Sequence, residues 1–232
     1  MPDTSGSESV FTKLQRIAEA ARRNPEGTFS SLNHFLCPEL LREAFKRVRR
    51  NGAPGVDGRT WAEYGADFES RLPVLLDQAK SGLYRAPPVR RVHIPKGTGP
   101  ETRPIGIPTI EDKLLQRAVV MILEAIYEQD FHPGSYGFRP GRSAHQALDG
   151  LREAVMAMGG GWVLEVDIRK YFDTVDHAWL RRFVRRRVRD GVVLRLIGKW
   201  LKAGVWENGS IRYPDDGTPQ GGVISPLLAN VY

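Results

Sequence analysis

The sequence is poor in metal-binding and disulfide-forming residues. It contains one cysteine, Cys37, and five histidines among 232 residues. One thiol forms neither an internal disulfide nor a cysteine-rich zinc site, and no two histidines stand at zinc-ligand spacing. Long hydrophobic runs are also absent: the longest apolar run without a charge, 118–123, has about six residues, whereas spanning a bilayer takes roughly 18. No signal peptide is recognisable. We therefore expect a soluble, cytoplasmic protein with no membrane partner.

Acidic residues are the minority among the charges. The chain has 27 Asp and Glu against 34 Lys and Arg, a net charge of +7. This excess favours an anionic partner such as nucleic acid. Hydrophobic residues make up 41% and charged residues 26% of the chain, a balance that excludes wholesale disorder and a coiled-coil rod.

Apolar spacing predicts a mostly helical chain with a few strands, an α+β fold. The predicted helices cover about 8–23, the stretch from Leu40 to Val48, about 60–80, a long stretch capped by Thr109, 144–158 capped by Ser143, about 177–189, about 191–203, and a stretch starting near Pro226. Alternating apolar residues on both sides of 96–100 predict a β-hairpin. Strands are also predicted at 162–168 and 205–212.

Asp167 is the first candidate functional residue, because it lies near the end of an apolar predicted strand. A carboxylate is costly to bury alone, so it is expected to be paired, hydrogen-bonded or bound to a metal. Asp173 and Asp176 follow closely, but their spacing is not that of a calcium-binding loop, and Asp176 is predicted to cap the next helix. A structural acid and a metal ligand both remain open on these residues alone.

Two basic clusters and one glycine-rich loop are further candidates. Residues 85–103 hold five cations and one acid, and six of the nine residues in 181–189 are arginines, which an apolar helix face predicts to point outward. Such clusters suit phosphate oxygens, although a solvated surface is the alternative. The loop 217–222 lets backbone approach a ligand closely and includes Gln220, which offers both a donor and an acceptor; a simple turn is the alternative.

Six segments, taken in order, resemble the reverse transcriptases encoded by group II introns. They are NPEGTFSSLNHFL at 24–36, NGAPGVDG at 51–58, RPIGIPTIEDKLLQRAV at 103–119, SYGFRPGRSAHQAL at 135–148, EVDIRKYFDTVDH at 165–177 and GTPQGGVISPLLANVY at 217–232. The resemblance covers nearly the whole chain, from about residue 11 to residue 232.

The resemblance implies a role for each matching residue. Asp167 is a metal ligand beside the backbone carbonyl of Ile168, and Phe172 lies under the incoming sugar, where an apolar ring excludes a 2′-hydroxyl. Lys96 and Arg103 hold the triphosphate, and Gln220 and Gly221 line the nucleotide and template pocket. The candidate nucleic-acid-binding residues are Arg85, Arg90, Arg91, Arg139, Arg142, Arg181 and Arg185.

The resemblance also implies the fold, the reaction and the partners. The expected fold is that of right-hand polymerase fingers with a partial palm and a small antiparallel palm sheet, divided into an N-terminal extension (1–36), fingers with early palm helices (37–150) and partial palm (151–232). The expected activity is RNA-directed DNA synthesis from deoxynucleoside triphosphates, with an RNA template, a DNA primer, intron RNA as a further partner (maturase function), and two Mg²⁺ ions.

One departure from the family pattern limits these expectations. The family's second acidic motif, Tyr-X-Asp-Asp, should follow the GTPQGG segment and is not found there; the similar letters at 213–216 precede that segment and predict a turn. We therefore expect the isolated chain to be inactive, and an exposed edge at the Asp167 strand predicts self-association or docking of a separate C-terminal fragment. A non-catalytic RNA-binding module and an inert relic are the competing interpretations.

Overall fold

The structure, a computed structural model, describes residues 9–213, 216–218 and 221–232. The α-helices within these ranges are α1 (Val10–Arg23), α2 (Pro38–Arg47), α3 (Trp61–Ala66), α4 (Phe68–Ser81), α5 (Ile110–Tyr127), α6 (Ala144–Ala157), α7 (His177–Arg187), α8 (Gly191–Leu201) and α9 (Ser225–Val231). Two 3₁₀ helices cover Asn33–Phe35 and Tyr171–Asp173. The strands are β1 (Val89–Pro95), β2 (Thr102–Ile107), β3 (Val205–Glu207) and β4 (Ser210–Arg212). The predicted mixture of helices and strands is confirmed.

The predicted helix caps are confirmed. The Thr109 side chain accepts from the Asp112 amide at the start of α5, and the Asp176 carboxylate accepts from the Trp179 amide at the start of α7. Ser143 forms a capping box with Gln146 at the start of α6. Each of these side chains satisfies an amide that the first helical turn leaves unpaired. The single helix predicted over 60–80 is instead two helices, α3 and α4, which meet at Asp67.

The strands form one mixed sheet in the order β2-β1-β3-β4. The predicted β1–β2 hairpin is confirmed, with Ile94 opposite Arg103. The predicted strand at 205–212 is a hairpin, because Asn208 and Gly209 both take the positive φ values, 50° and 79°, of a two-residue turn. β3 pairs in parallel with β1, so the described strands form no separate antiparallel palm sheet, and that expectation is wrong.

The predicted strand at 162–168 is also wrong. Residues 161–168 carry no strand pairing, and Trp162 and Leu164 are 100% and 87% exposed. A strand needs a neighbour for its backbone hydrogen bonds, and no described strand lies alongside this segment. Asp167 is therefore exposed, and the burial cost expected for it does not arise.

The core is centred on α5, which packs against α1 and α2 and also contacts α3 and α9. One hydrophobic cluster joins side chains from all three predicted regions, including Ile17, Leu123 and Leu228. The domain boundaries at 36 and 150 remain predictions. Among the described helices, none has both the length and the apolar composition needed to cross a membrane.

The segment that follows α1, residues 24–29, is hydrogen-bonded to the end of α7. Arg187 forms an ion pair with Asp130 and donates to the carbonyls of Ala21, Asn24 and Gly27. Phe29 forms an isolated bridge with Val188. The expectation that the arginines of 181–189 all point outward is therefore wrong for Arg187, whose side chain is 7% exposed because this segment covers it.

Candidate active site

A cavity of about 740 Å³ brings together residues from four separate stretches of the chain. It is lined by Arg103, Ile105, Phe138, Val166, Asp167, Ile168, Tyr171, Phe172, Gly221, Gly222, Ser225 and Pro226. Five of the predicted site residues are among them: Arg103, Asp167, Ile168, Phe172 and Gly221. The volume lies within the range typical of small-molecule and cofactor sites.

Arg103 and Gly221 lie where the glycine-rich loop crosses β2. A Cβ atom on Gly221 would come within 2.6 Å of the Gly106 carbonyl oxygen and 2.7 Å of the Ile105 side chain. Its φ of 106° also belongs to the region that glycine favours. Glycine therefore lets the loop backbone lie directly on the strand that carries Arg103. Gln220, the predicted partner of Gly221, lies outside the described residues.

The same loop is bonded to the turn that carries Phe172. The Thr218 amide donates to the Phe172 carbonyl at 2.7 Å, and the Gly217 amide donates to the Val175 carbonyl at 2.9 Å. His177 Nε2 lies 2.6 Å from the Gly217 carbonyl oxygen, and since a carbonyl only accepts, this nitrogen carries the proton. These three bonds place the loop and Phe172 at the same wall of the cavity.

An aromatic wall surrounds Phe172. Its ring meets Tyr171 and Phe138 edge to face, with centroids 5.8 and 6.2 Å apart. The Tyr171 hydroxyl donates to the Ala229 carbonyl in α9 at 2.7 Å. Burial raises the pKa of the Tyr171 hydroxyl, so it keeps this proton at neutral pH. Tyr171 is thereby fixed to a helix, and Phe172 stands beside it.

Phe138, Tyr171 and His177 were not among the predicted site residues, although all three lie in the resembling segments. Phe138 and Tyr171 line the cavity, and His177 holds the loop. The imidazole of His177 was the clearest signal among them, whereas Phe138 and Tyr171 are aromatic, and aromatic side chains are more often part of a core. Their roles depend on which segments of the chain come together in the fold, and the spacing of residues along the sequence does not predict those contacts.

Asp167 supplies a carboxylate to the cavity. Across the part of the chain that the structure describes, no three side chains of the His, Cys, Asp or Glu types come close enough to hold a metal ion. Mg²⁺ needs about six oxygen ligands, several of them water. Asp167 suits one protein ligand of such an ion, but the described residues do not by themselves complete the predicted pair of magnesium sites.

Lys96 lies apart from this cavity. It is at the tip of the β1–β2 hairpin, where its Nζ is 3.4 Å from a Glu101 carboxylate oxygen and its amide donates to the Glu101 carbonyl. It is not among the residues that line the cavity. Its predicted role at the triphosphate remains a prediction.

The predicted nucleic-acid-binding arginines differ in how free they are. Arg139 is buried, paired with Glu128 and bonded to two backbone carbonyls, so its guanidinium is already occupied and its predicted role in nucleic-acid binding is not supported. Arg90 donates to the Pro54 carbonyl, and the Nε of Arg91 is buried without a partner in the described structure.

The remaining members of this group are more accessible. Arg142 is exposed and lies over the Tyr136 ring. Arg85, Arg181 and Arg185 have no hydrogen-bond or ion-pair partner among residues 9–213, 216–218 and 221–232. Arg85 and Arg185 are exposed and Arg181 is half-buried. These guanidinium groups are available to an anionic ligand.

Next to the glycine-rich loop, α5 carries a buried carboxylate, Asp112. Asp112 Oδ1 accepts from the Tyr84 hydroxyl and from Trp200 Nε1, at 2.5 and 2.7 Å. One turn later, Gln116 Oε1 accepts from the Ile224 amide at 3.2 Å. Burial raises the pKa of Asp112 to about 6, against the lowering effect of these hydrogen bonds.

Comparison with known proteins identifies the family. The sequence matches the family "Reverse transcriptase (RNA-dependent DNA polymerase)" over residues 94–232, more than half of the chain. It is 42% identical to Protein YkfC of Escherichia coli, covering 96% of this chain and 60% of that protein. It is 38% identical to the group II intron-encoded protein LtrA of Lactococcus lactis, covering 94% of this chain and 36% of that protein.

A solved structure shares the fold. It is titled "Partial Cas6-RT-Cas1--Cas2 complex", with a TM-score of 0.53 and 23% identity over 97% of this chain and 34% of that one. The chain thus spans about a third to 60% of the length of these relatives. The family match places this chain in the reverse transcriptase family, and over most of its length the chain is similar to the group II intron-encoded protein LtrA.

Proposed function

We propose that the cavity binds the incoming deoxynucleoside triphosphate of RNA-directed DNA synthesis. The observation that carries this proposal is the convergence of Asp167, Arg103, Phe172 and Gly221 on one cavity from separate segments. Arg103 offers a guanidinium with no partner among the described residues, which suits phosphate oxygens. Phe172 offers an apolar ring that leaves a 2′-hydroxyl without hydrogen bonds.

In the complete reaction, a primer 3′-hydroxyl attacks the α-phosphate and pyrophosphate leaves. Reverse transcriptases use divalent metal ions, which stabilise charge on the reacting oxygens. In this chain, Asp167 would be one ligand of such an ion, and the carbonyl of Ile168 would be a second. Arg103 binds and orients the triphosphate, and the loop at Gly221 brings backbone close to the nucleotide.

A substitution of Arg103 tests nucleotide binding. Arg103→Gln should weaken binding of a deoxynucleoside triphosphate with Mg²⁺ by roughly tenfold, because a charge-assisted hydrogen bond is lost. Arg212→Gln is the matched control, since Arg212 is exposed in the same sheet and does not line the cavity. Equal affinities of the two variants by calorimetric titration would contradict the assignment.

These 232 residues alone are not expected to polymerise at a useful rate, because Asp167 is the single carboxylate among the described residues that line the cavity. Primer extension on an RNA template measures this directly. Template-directed incorporation that Asp167→Asn abolishes would overturn the expectation.

RNA binding without chemistry is a second candidate function, favoured by the free arginines of α7. Arg181 and Arg185 lie one turn apart and lack partners in the described structure. Changing both to Gln should reduce the slope of log affinity against log salt by roughly one to two for a structured RNA such as an intron domain. An unchanged slope would leave these arginines as surface charge.

The exposed apolar residues of α6 and of 161–168 also support self-association of the chain. α6 has no buried residue, and its Leu148 and Leu151 are 63% and 48% exposed, as are several apolar residues of 161–168. Exposed apolar area of this kind favours a protein contact. We expect a second copy of the chain to cover it, and sedimentation should detect a dimer. A compact monomer would exclude the second copy, and a monomer that binds a separate C-terminal fragment would identify the other expected occupant.

A further inference from the structure

Phe138 combines two unusual features at the mouth of the cavity. Its φ is 56°, in the left-handed region that few residues with a Cβ atom adopt. Phe138 is 70% exposed, so it is not part of the hydrophobic core. Backbone strain at a residue that is not buried is a common mark of a functional position.

The loop that carries Phe138 is firmly anchored on either side of it. Asn230 in α9 donates to the Gly137 carbonyl at 2.9 Å. The buried guanidinium of Arg139 donates to the carbonyls of His132 and Ser135 and pairs with Glu128. These anchors hold the backbone in place, and the left-handed conformation turns the Phe138 ring out into the cavity.

The ring then meets the predicted sugar-contacting residue. Phe138 and Phe172 are perpendicular, at 85°, with centroids 6.2 Å apart. The Tyr171 ring also contacts the Phe172 ring edge to face, and the hydrogen bond from the Tyr171 hydroxyl to the Ala229 carbonyl in α9 fixes its position. Phe172 therefore has one aromatic neighbour fixed to α9 and a second, Phe138, presented by the anchored loop.

We propose that Phe138 is a specificity-determining residue of this cavity, which holds the Phe172 ring where it excludes a ribose 2′-hydroxyl. The inference rests on the proposed nucleotide-binding function. Without the Phe138 ring, Phe172 loses one edge-to-face contact and gains room to move away from the sugar. Edge-to-face contacts of this kind correspond to roughly a two- to tenfold effect on an equilibrium.

The test separates this role from a structural one. Phe138→Gly relieves the left-handed backbone, so its urea midpoint should not fall below that of the unsubstituted chain. Its preference for a deoxynucleoside triphosphate over the matching ribonucleoside triphosphate, with Mg²⁺, an RNA template and a 3′-blocked DNA primer, should fall roughly two- to tenfold. Phe138→Leu keeps the side chain bulk and the strain but removes the aromatic edge, and it should lose the preference as well.

Asn208→Gly is the matched control, because Asn208 has a φ of 50° in the β3–β4 turn and does not line the cavity. The urea midpoint of this variant should stay the same or rise slightly, and its preference for the deoxynucleoside triphosphate should not change. An unchanged preference in Phe138→Gly, or a midpoint lowered as by a core deletion, would overturn the inference while nucleotide binding stands. If the unsubstituted chain binds neither nucleotide, the proposed function fails and the inference fails with it.

Discussion

Asp112 should make the stability of this protein fall as the pH rises through the weakly acidic range. Its carboxylate is buried, and its Oδ2 has no hydrogen-bond partner within the described residues, which favours a proton on this oxygen. Burial raises its pKa to about 6, whereas an unfolded aspartate has a pKa of about 3.9. The folded state therefore binds the proton more tightly than the unfolded state.

The sign and the size follow from this difference. The stabilisation due to the protonated acid is fully present below about pH 4 and is lost as the pH rises to about 6, for a total of about 3 kcal/mol. About half of that loss, about 1.5 kcal/mol, falls between pH 5 and pH 7.5. This is a measurable fraction of the roughly 5–15 kcal/mol by which domains are stable.

Urea unfolding at about pH 5 and pH 7.5 measures the effect. Asparagine is a neutral isostere of the protonated acid, so the Asp112→Asn variant lacks this titration. Between pH 5 and pH 7.5, its free energy of unfolding should therefore fall by about 1.5 kcal/mol less than that of the unsubstituted chain. Asp77→Asn, at an exposed site on α4, is the control and should keep the original pH dependence. Equal pH dependences of the unsubstituted chain and Asp112→Asn would refute the reasoning, because the other titrating groups are common to both.

Three further predictions concern backbone contacts. One carboxylate oxygen of Asp190 accepts from the amides of Leu32 and Asn33, and the other accepts from two amides of α8. Asp190→Asn keeps only one accepting oxygen, so the free energy of unfolding measured in urea should fall by about 2–4 kcal/mol. Burial alone would raise the pKa of Asp190, but the amide hydrogen bonds outweigh it and lower the pKa, so this stabilisation should be lost as the pH falls. Gly221→Ala should weaken nucleotide binding and also lower the urea midpoint, because the new Cβ would come within 2.6 Å of the Gly106 carbonyl oxygen and alanine disfavours the φ of 106° at this position. His177→Leu should speed hydrogen exchange at the 216–218 loop roughly tenfold, whereas His177→Gln, which retains a donor, should restore protection.

Local features of the fold could be predicted from the sequence. Thr109 and Ser143 cap helices through residues three positions away, and the β1–β2 hairpin closes over a six-residue tip. All the information these features need lies within one short stretch. The predicted strand at 162–168 failed because an apolar, alternating stretch becomes a strand only beside a pairing partner.

The candidate site shows the same division between local and tertiary information. The acid at Asp167 and the guanidinium at Arg103 could be named from their segments, and the structure places both in one cavity. Which arginines remain free could not be named, since that depends on the acceptors that the fold brings to each guanidinium. Arg187 meets carbonyls more than 150 positions away, and Arg139 meets the carboxylate of Glu128 across its own loop. Some arginines of a cluster therefore bond to backbone carbonyls and carboxylates inside the protein, and only the remaining ones form a basic surface.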